Sequence, residues 1–365
     1  MLQSKPYRCS VRKVDAEPLA TLLACLAGET LLEIDWQKLL AAANQALVTG
    51  VLAERIGDRA PEDVQAFLGV IHRRAVERNS RLERQLEEAA TTLNAAGIQP
   101  ILLKGTAVLR TAGPDYGARI LSDLDIMVPA CWMAMARRSL EAIGYRLYQR
   151  EDSPFAPMNL YREQDVGMID LHCRTKVRYP GFDAEDLTGD CSEVRLGGAR
   201  AWLPSPTSQA LILILHDQLQ ERDYWRGLVD LRHLLDIAEL ARTSAGIDWE
   251  RLARHFPEGY PRNALDVQLS TLDLLFGVPV PQPHRPGWTR VQLRRRRLQL
   301  RWPGLRPFLT LLTLLLDPPW RAGASTGRTA AVGPGRFRGT SFLTQLRYVR
   351  SAIDRLLARK TAGKI

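Results

Sequence analysis

Three aspartates carry the most specific chemistry in this 365-residue chain. Asp123 and Asp125 stand two apart in Ser122-Asp123-Leu124-Asp125, inside the alternating stretch Ile120–Val128. On a strand, residues two apart share a face. Both carboxylates then project to one side, while Leu124, Ile126 and Val128 turn into a core. Two ionised carboxylates side by side repel unless a cation neutralises them. Hard oxygen donors without soft ones suit Mg²⁺ or Mn²⁺. The bland alternative is a pair of solvated acids at a strand edge. Asp170, in Met168-Ile169-Asp170-Leu171-His172, is a third acid, set between apolar neighbours in a strand-like run. If the two strands are neighbours, three carboxylates converge as the ligand set for two-metal phosphoryl or nucleotidyl transfer.

Upstream, Lys104-Gly105 stands where an apolar strand, Ile98–Leu103, hands over to a short helix, Thr106–Thr111. Glycine lets the backbone turn tightly and approach a ligand, and free N–H groups at a helix start bind phosphate. Lys104 adds a point charge in a chain where Arg outnumbers Lys 43 to 7. Arg119 lies on the approach to the acidic strand, as a phosphate clamp or simply a surface arginine. Ser122 shapes the turn into that strand. His172 reads as a partner of Asp170 or as a satisfied core histidine.

The elements around these residues divide the chain into four expected regions. Residues 1–96 read as helices, at Leu19–Leu26, Trp36–Leu47, Pro61–Val76 and Arg78–Ala96. Residues 97–204 hold the strands, with a helix at Trp132–Ile143 and further strands at Tyr145–Gln149, Met158–Arg162 and Gly167–His172. Residues 205–277 return to helix: Thr207–Leu219 behind a Ser205-Pro206 cap, then Tyr224–Arg242, Trp249–His255 and Arg262–Phe276. Residues 278–365 begin with the Pro-rich linker Val278–Gly287. They continue with Arg294–Arg297, a Gly/Arg/Pro-rich stretch Arg321–Gly339 and a basic amphipathic helix Phe342–Lys360.

The segments Ile101–Gly105, Arg119–Val128 and Ile169–His172 together resemble a largely uncharacterised bacterial nucleotidyltransferase family of the polymerase-β-like superfamily. The N-terminal helices and the pattern His216…Trp225…Asp230 extend the resemblance over roughly residues 20–275. In the wider superfamily the helix-start motif is Gly-Ser; here it is Lys-Gly, so phosphate binding falls to Lys104 and backbone N–H groups. The resemblance implies an α+β fold: a small polymerase-β-like nucleotidyltransferase core, a mixed sheet with helices, flanked by N- and C-terminal helical regions. It implies that Asp123 and Asp125 hold two Mg²⁺ ions on a nucleoside triphosphate, with Asp170 on the catalytic metal and near the acceptor hydroxyl. Lys104, Gly105, Arg119 and Ser122 become the nucleotide-binding set. The acceptor stays open between a small molecule, a peptide or protein, and an RNA end.

Two other functions compete. One is a catalytically silent nucleotide- or anion-binding partner protein. The other is a His-Asp metal phosphohydrolase built on His216-Asp217, Asp230 and His233, although a structural bond from His216 to Asp230 accounts for that pattern more simply. The six histidines form no zinc pattern.

Composition narrows the classes further. At 45% hydrophobic and 25% charged, the chain is neither collagenous nor wholly disordered. Five cysteines without a C-x-x-C pair argue against a disulfide framework. Met1–Lys13 lacks an apolar core, and the apolar run Phe308–Leu316 falls short of the roughly 20 residues a membrane crossing takes. A cytoplasmic protein is the expectation. The net charge of +10 is unevenly spread: residues 285–365 carry 18 Lys+Arg against 2 Asp+Glu. The rest is mildly acidic, so the basic end either meets an anionic partner, nucleic acid or a membrane surface, or stays solvated or packs on the acidic body.

Overall fold

The computed structural model describes residues 18–29, 31, 33–112, 117–150, 157–174, 187–318 and 363–365. Arg321–Gly339 and the expected helix Phe342–Lys360 lie outside the described residues. The fold is α+β, a seven-stranded mixed sheet with many helices. The strands are β1 Ile101–Leu102, β2 Leu124–Met127, β3 Arg146–Arg150, β4 Met158–Tyr161, β5 Ile169–His172, β6 Cys191–Leu196 and β7 Ala199–Pro204. Their order is β3-β4-β5-β2-β1-β7-β6. β2 runs parallel to β5 and antiparallel to β1, which in turn runs parallel to β7.

Alternation on these strands separates two cores. Leu102, Leu124, Ile126, Val128, Ile169 and Leu171 face one of them. The helices α4 (Glu62–Ala95) and α6 (Met133–Ala142) cover that face through Leu82, Leu86, Leu93 and Leu140. Ile101, Leu103 and Met127 face the other, shared by the early helices α1 (Pro18–Leu26), α2 (Trp36–Gln45) and α3 (Thr49–Ile56) and by the helices after residue 205. β6 and β7, absent from the sequence reading, form a hairpin whose turn uses the positive φ of Gly197.

The helix α4 is a single 34-residue element where the sequence reading placed two. Nothing around Glu77 breaks it, since neither Gly nor Pro intervenes. Its polar side chains grip the chain entering β2. Arg78 donates to the carbonyls of Leu121 and Ser122 at 2.7 and 3.0 Å, and Asn79 to that of Arg119 at 3.0 Å. Gln85 holds the carbonyl of Gly167 at 2.8 Å, just before β5. One rigid helix thus sets the entry of both acid-bearing strands.

Beyond the sheet, α7 (Pro206–Ile214) passes into a π-helical segment, Leu215–Gln220. The expected single helix Tyr224–Arg242 is broken into α8 (Asp223–Arg226) and α9 (Leu231–Arg242). Gly227 ends α8 in the left-handed region, and the Asp230 carboxylate accepts from the N–H groups of Arg232 and His233 to cap α9. After α10 (Trp249–Arg254) and α11 (Tyr260–Phe276) come α12 (Pro286–Arg301) and α13 (Arg306–Leu316). Arg294–Arg297 lies on α12 and is not wholly a solvated run: Arg295 and Arg296 are buried. Arg295 donates to the carbonyls of Tyr224 and Trp225, and Arg296 to Thr271 and Gln218. Among the described residues, Cys25, Cys131, Cys173 and Cys191 are free thiols.

Candidate active site

The parallel pairing of β2 with β5 sets Asp125 opposite Asp170. Both side chains project from the face opposite Leu124, Ile126, Ile169 and Leu171, as alternation demands. Asp123 precedes β2 and acts electrostatically on both Asp125 and Asp170. The three acids picked out from sequence therefore meet.

Lys104 joins them. It opens α5 (Lys104–Ala112) and places Nζ 2.7 Å from Asp125 Oδ1. Leu103, just before it, donates its N–H to the Asp125 carbonyl at 3.0 Å, so backbone and side chain are tied to the same residue. The tight turn expected of Gly105 is made by Lys104 itself, at φ +47°. Gly105 serves another end: a Cβ there would stand 2.7 Å from Leu121 Cδ2, so the glycine lets α5 pack onto the chain entering β2.

The electrostatics are uneven. Burial would raise the Asp125 carboxyl, but the Lys104 ammonium and the imidazole of His172 hold it well below the usual carboxylate range. His172 Nε2 lies 3.0 Å from Asp125 Oδ1, so its hydrogen bond goes to Asp125, while it also acts electrostatically on Asp170. Burial opposes the charge on Lys104, yet Asp125 raises its pKa on balance. Asp123 and Asp170 are pushed up instead, by burial first and then by neighbouring carboxylate charge. Ser122 Oγ donates to Asp123 at 2.8 Å. Asn159, opposite Asp170 across the β4–β5 pair, donates to Asp170 Oδ1. One donor atom each from Asp125, Asp170 and His172 lie within 4.8 Å of one another, close enough to share a cation.

Arg119 does not reach this cluster as a clamp. It is buried against Asp236 on α9, with Nε 3.2 and 3.1 Å from the two carboxylate oxygens and Nη2 3.1 Å from Oδ2. A buried arginine with a fixed carboxylate partner pins the β2 approach to the helical layer.

A second buried group of ionisable side chains lies nearby, close enough for the Lys104 charge to act on His216. Asp217 takes both imidazoles, His216 Nδ1 at 3.0 Å and His233 Nδ1 at 2.8 Å. The expected bond from His216 to Asp230 is not formed, because the π-helical segment turns Asp217 toward both histidines. Asp230 is occupied in capping α9 and in a 2.7 Å pair with Arg232. Asp217 is held far down: burial raises it, but His233 and His216 outweigh that. His233 is raised on balance, its two aspartates overcoming burial; His216 is lowered by burial and by Lys104.

The sequence reading missed Asn159, Asp217's bridging role and Arg232, whose charge reaches Asp123. Asn159 had a visible signal, an amide between apolar neighbours in Met158-Asn159-Leu160. Arg232 had none, since its position depends on where α9 starts. A cavity of about 620 Å³ lined by Val51, Val108, Arg119, Leu203 and Arg232 includes none of the three carboxylates.

The family profile described as uncharacterised nucleotidyltransferase matches residues 33–277. Among solved structures, the antibiotic-resistance factor ANT(2'')-Ia in solution overlaps 53% of this chain and 95% of its own, at 16% identity and a TM-score of 0.36. A crystal structure of ANT(2'')-Ia with adenylyl-2''-tobramycin covers 48% and 94%, at 15% identity and a TM-score of 0.35. An antigenic nucleotidyltransferase-like protein from Paracoccidioides brasiliensis covers 63% and 92%, at 14% and 0.30. These overlaps are too loose to transfer a residue role. No curated protein matches the chain by sequence.

Proposed function

Since the chain belongs to the uncharacterised nucleotidyltransferase family, we propose that it moves a nucleoside monophosphate from a nucleoside triphosphate to an acceptor hydroxyl, with release of pyrophosphate. Residues 97–204 would form the catalytic core and 205–277 its helical companion. The observation that carries this reading is the Asp125–Asp170 register pair with Asp123 beside it. Three carboxylates meet one directly bonded ammonium there, and desolvation and mutual repulsion raise the two half-buried acids Asp123 and Asp170.

That donor set fits a hard divalent cation, with Asp123, Asp125 and Asp170 as the holding residues. When bound, Mg²⁺ or Mn²⁺ supplies charge neutralisation for the triphosphate and the departing pyrophosphate. The protein's own groups orient. Lys104 and His172 fix Asp125 from two directions, and Asn159 fixes one oxygen of Asp170 so that the other is free toward the acceptor hydroxyl. Lys104, at the first turn of α5, is also the cation suited to a phosphate oxygen, with Gly105 keeping the helix start close. Ser122 orients Asp123. Such positioning and charge stabilisation supply most of the rate in phosphoryl chemistry.

Incubation with α-labelled nucleoside triphosphates, Mg²⁺ and a cell extract tests this. Label transfer that falls by about 10³-fold or more in Asp123→Asn plus Asp125→Asn supports it. Undiminished transfer in that variant would sink it.

A further inference from the structure

Two helices near the end of the described chain are built inside out. On α12 the buried positions are Thr289, Gln292, Arg295, Arg296 and Gln299, all polar. On α13 they are Thr310, Thr313 and Leu314. Leu314 apart, the large apolar residues that are exposed include Leu298 on α12, Trp302 just after it, and Phe308, Leu312, Leu315 and Leu316 on α13. Phe308 is 64% exposed, Leu315 58% and Trp302 56%, far more than a core-facing stripe would show. The outward positions recur every three or four residues on both helices, and the elbow Trp302–Leu305 joins the two stripes. Arg290, Arg294, Arg297 and Arg301 are exposed on α12 as well. No acid occurs anywhere from residue 285 to residue 316.

We propose that this face of α12 and α13 docks in the plane of an anionic lipid bilayer. The chemistry is that of an interfacial helix pair: leucine, phenylalanine and tryptophan for the headgroup–acyl boundary, arginines for the lipid phosphates. Three other occupants fit less well. A second copy would bring four exposed arginines against four more with no carboxylate to pair them. An RNA would satisfy the arginines but leave the leucines against a polar partner. The segment 319–362 carries nine basic residues and one acidic, so its charge has the same sign as the face. Among the described residues no helix is long and apolar enough to cross a membrane.

The test is flotation of the purified full chain with vesicles of phosphatidylcholine alone and of phosphatidylcholine mixed with phosphatidylglycerol. Binding is expected to the mixed vesicles and to weaken with salt. Phe308→Asp plus Leu315→Asp should lower partitioning by roughly tenfold or more, and Arg294→Gln plus Arg297→Gln by a similar factor. Because all four side chains are exposed, each variant should keep the parent's thermal melting. Brominated lipid should quench tryptophan fluorescence in the parent and less in Trp302→Phe. Vesicle binding that survives Phe308→Asp plus Leu315→Asp unchanged would place the contact elsewhere and overturn the proposal. So would a dimer, seen by sedimentation without vesicle binding, that the same variant dissociates. Retention of RNA that responds to the arginine changes but not to Phe308→Asp, with no vesicle binding, would overturn it in favour of nucleic acid.

Discussion

Two buried groups of ionisable side chains lie within electrostatic reach of Lys104, and they are assembled on opposite terms. Around Asp217 every charge has an opposite number. Two histidines flank that carboxylate, Arg232 pairs with Asp230, and Arg119 pairs with Asp236. Around Asp125 the balance fails. Lys104 pairs with one carboxylate, while Asp123 and Asp170 accept hydrogen bonds only from a hydroxyl and an amide among the described residues, and the charges of Arg232 and His172 act on them without pairing. The first arrangement compensates its charge internally and the second does not, although donor atoms of His216, Asp217 and His233 also lie within 4.8 Å of one another.

Breaking the balanced group should cost the most stability. Removing one partner of a buried pair strands the other, typically at about 3–5 kcal/mol. Asp217→Ala and Arg119→Ala are each expected to destabilise by about that much in urea denaturation without metal. If Arg119 clamped phosphate instead, Arg119→Ala would lower turnover at nearly unchanged stability.

The unbalanced group should respond with the opposite sign. Asp123→Asn plus Asp170→Asn removes repulsion and desolvation that the metal-free fold bears, for an expected gain of about 1–2 kcal/mol. The same variant should lose any thermal stabilisation by Mg²⁺ and triphosphate. A loss of metal-free stability would mean that these two acids are compensated after all.

A smaller effect is expected in the pH profile. The His233 pKa is raised in the fold, so its contribution is fully present below the unfolded value of about 6.5 and is lost as pH rises through the folded value. The parent should lose stability across that window, and His233→Gln should flatten the loss. The measurement is a series of chemical denaturations at stepped pH.

Much of this was legible in the sequence, for identifiable reasons. Alternation around Leu124 and Leu171 gave the facing of Asp125 and Asp170, since side-chain parity on a strand is local. That the two strands are neighbours is a tertiary fact, which the resemblance carried. The hairpin Cys191–Pro204 escaped notice although Gly197-Gly198 marks its turn. Its exposed edge strand lacks the apolar run that announces a buried one. Arg119 and His216 were misplaced because their partners, Asp236 and Asp217, depend on helix phase. The π-helical segment at Leu215–Gln220 and the break at Gly227 both shift that phase by amounts periodicity does not reveal. Which arginines of Arg294–Arg297 pack on the body was not legible for the same reason: α12 turns its polar stripe inward.

Lys104 makes the chain's turn and carries the charge at one position, with φ +47° where a side-chain-bearing residue costs roughly 1–2 kcal/mol. Sequence drift there is boxed in from two directions. Glycine or asparagine would relax the backbone and forfeit the ammonium, while arginine would keep a charge but bring a broader head to the Asp125 oxygen that Lys104 meets at 2.7 Å. The backbone therefore favours a change to glycine or asparagine at this position, and the ion pair with Asp125 opposes it.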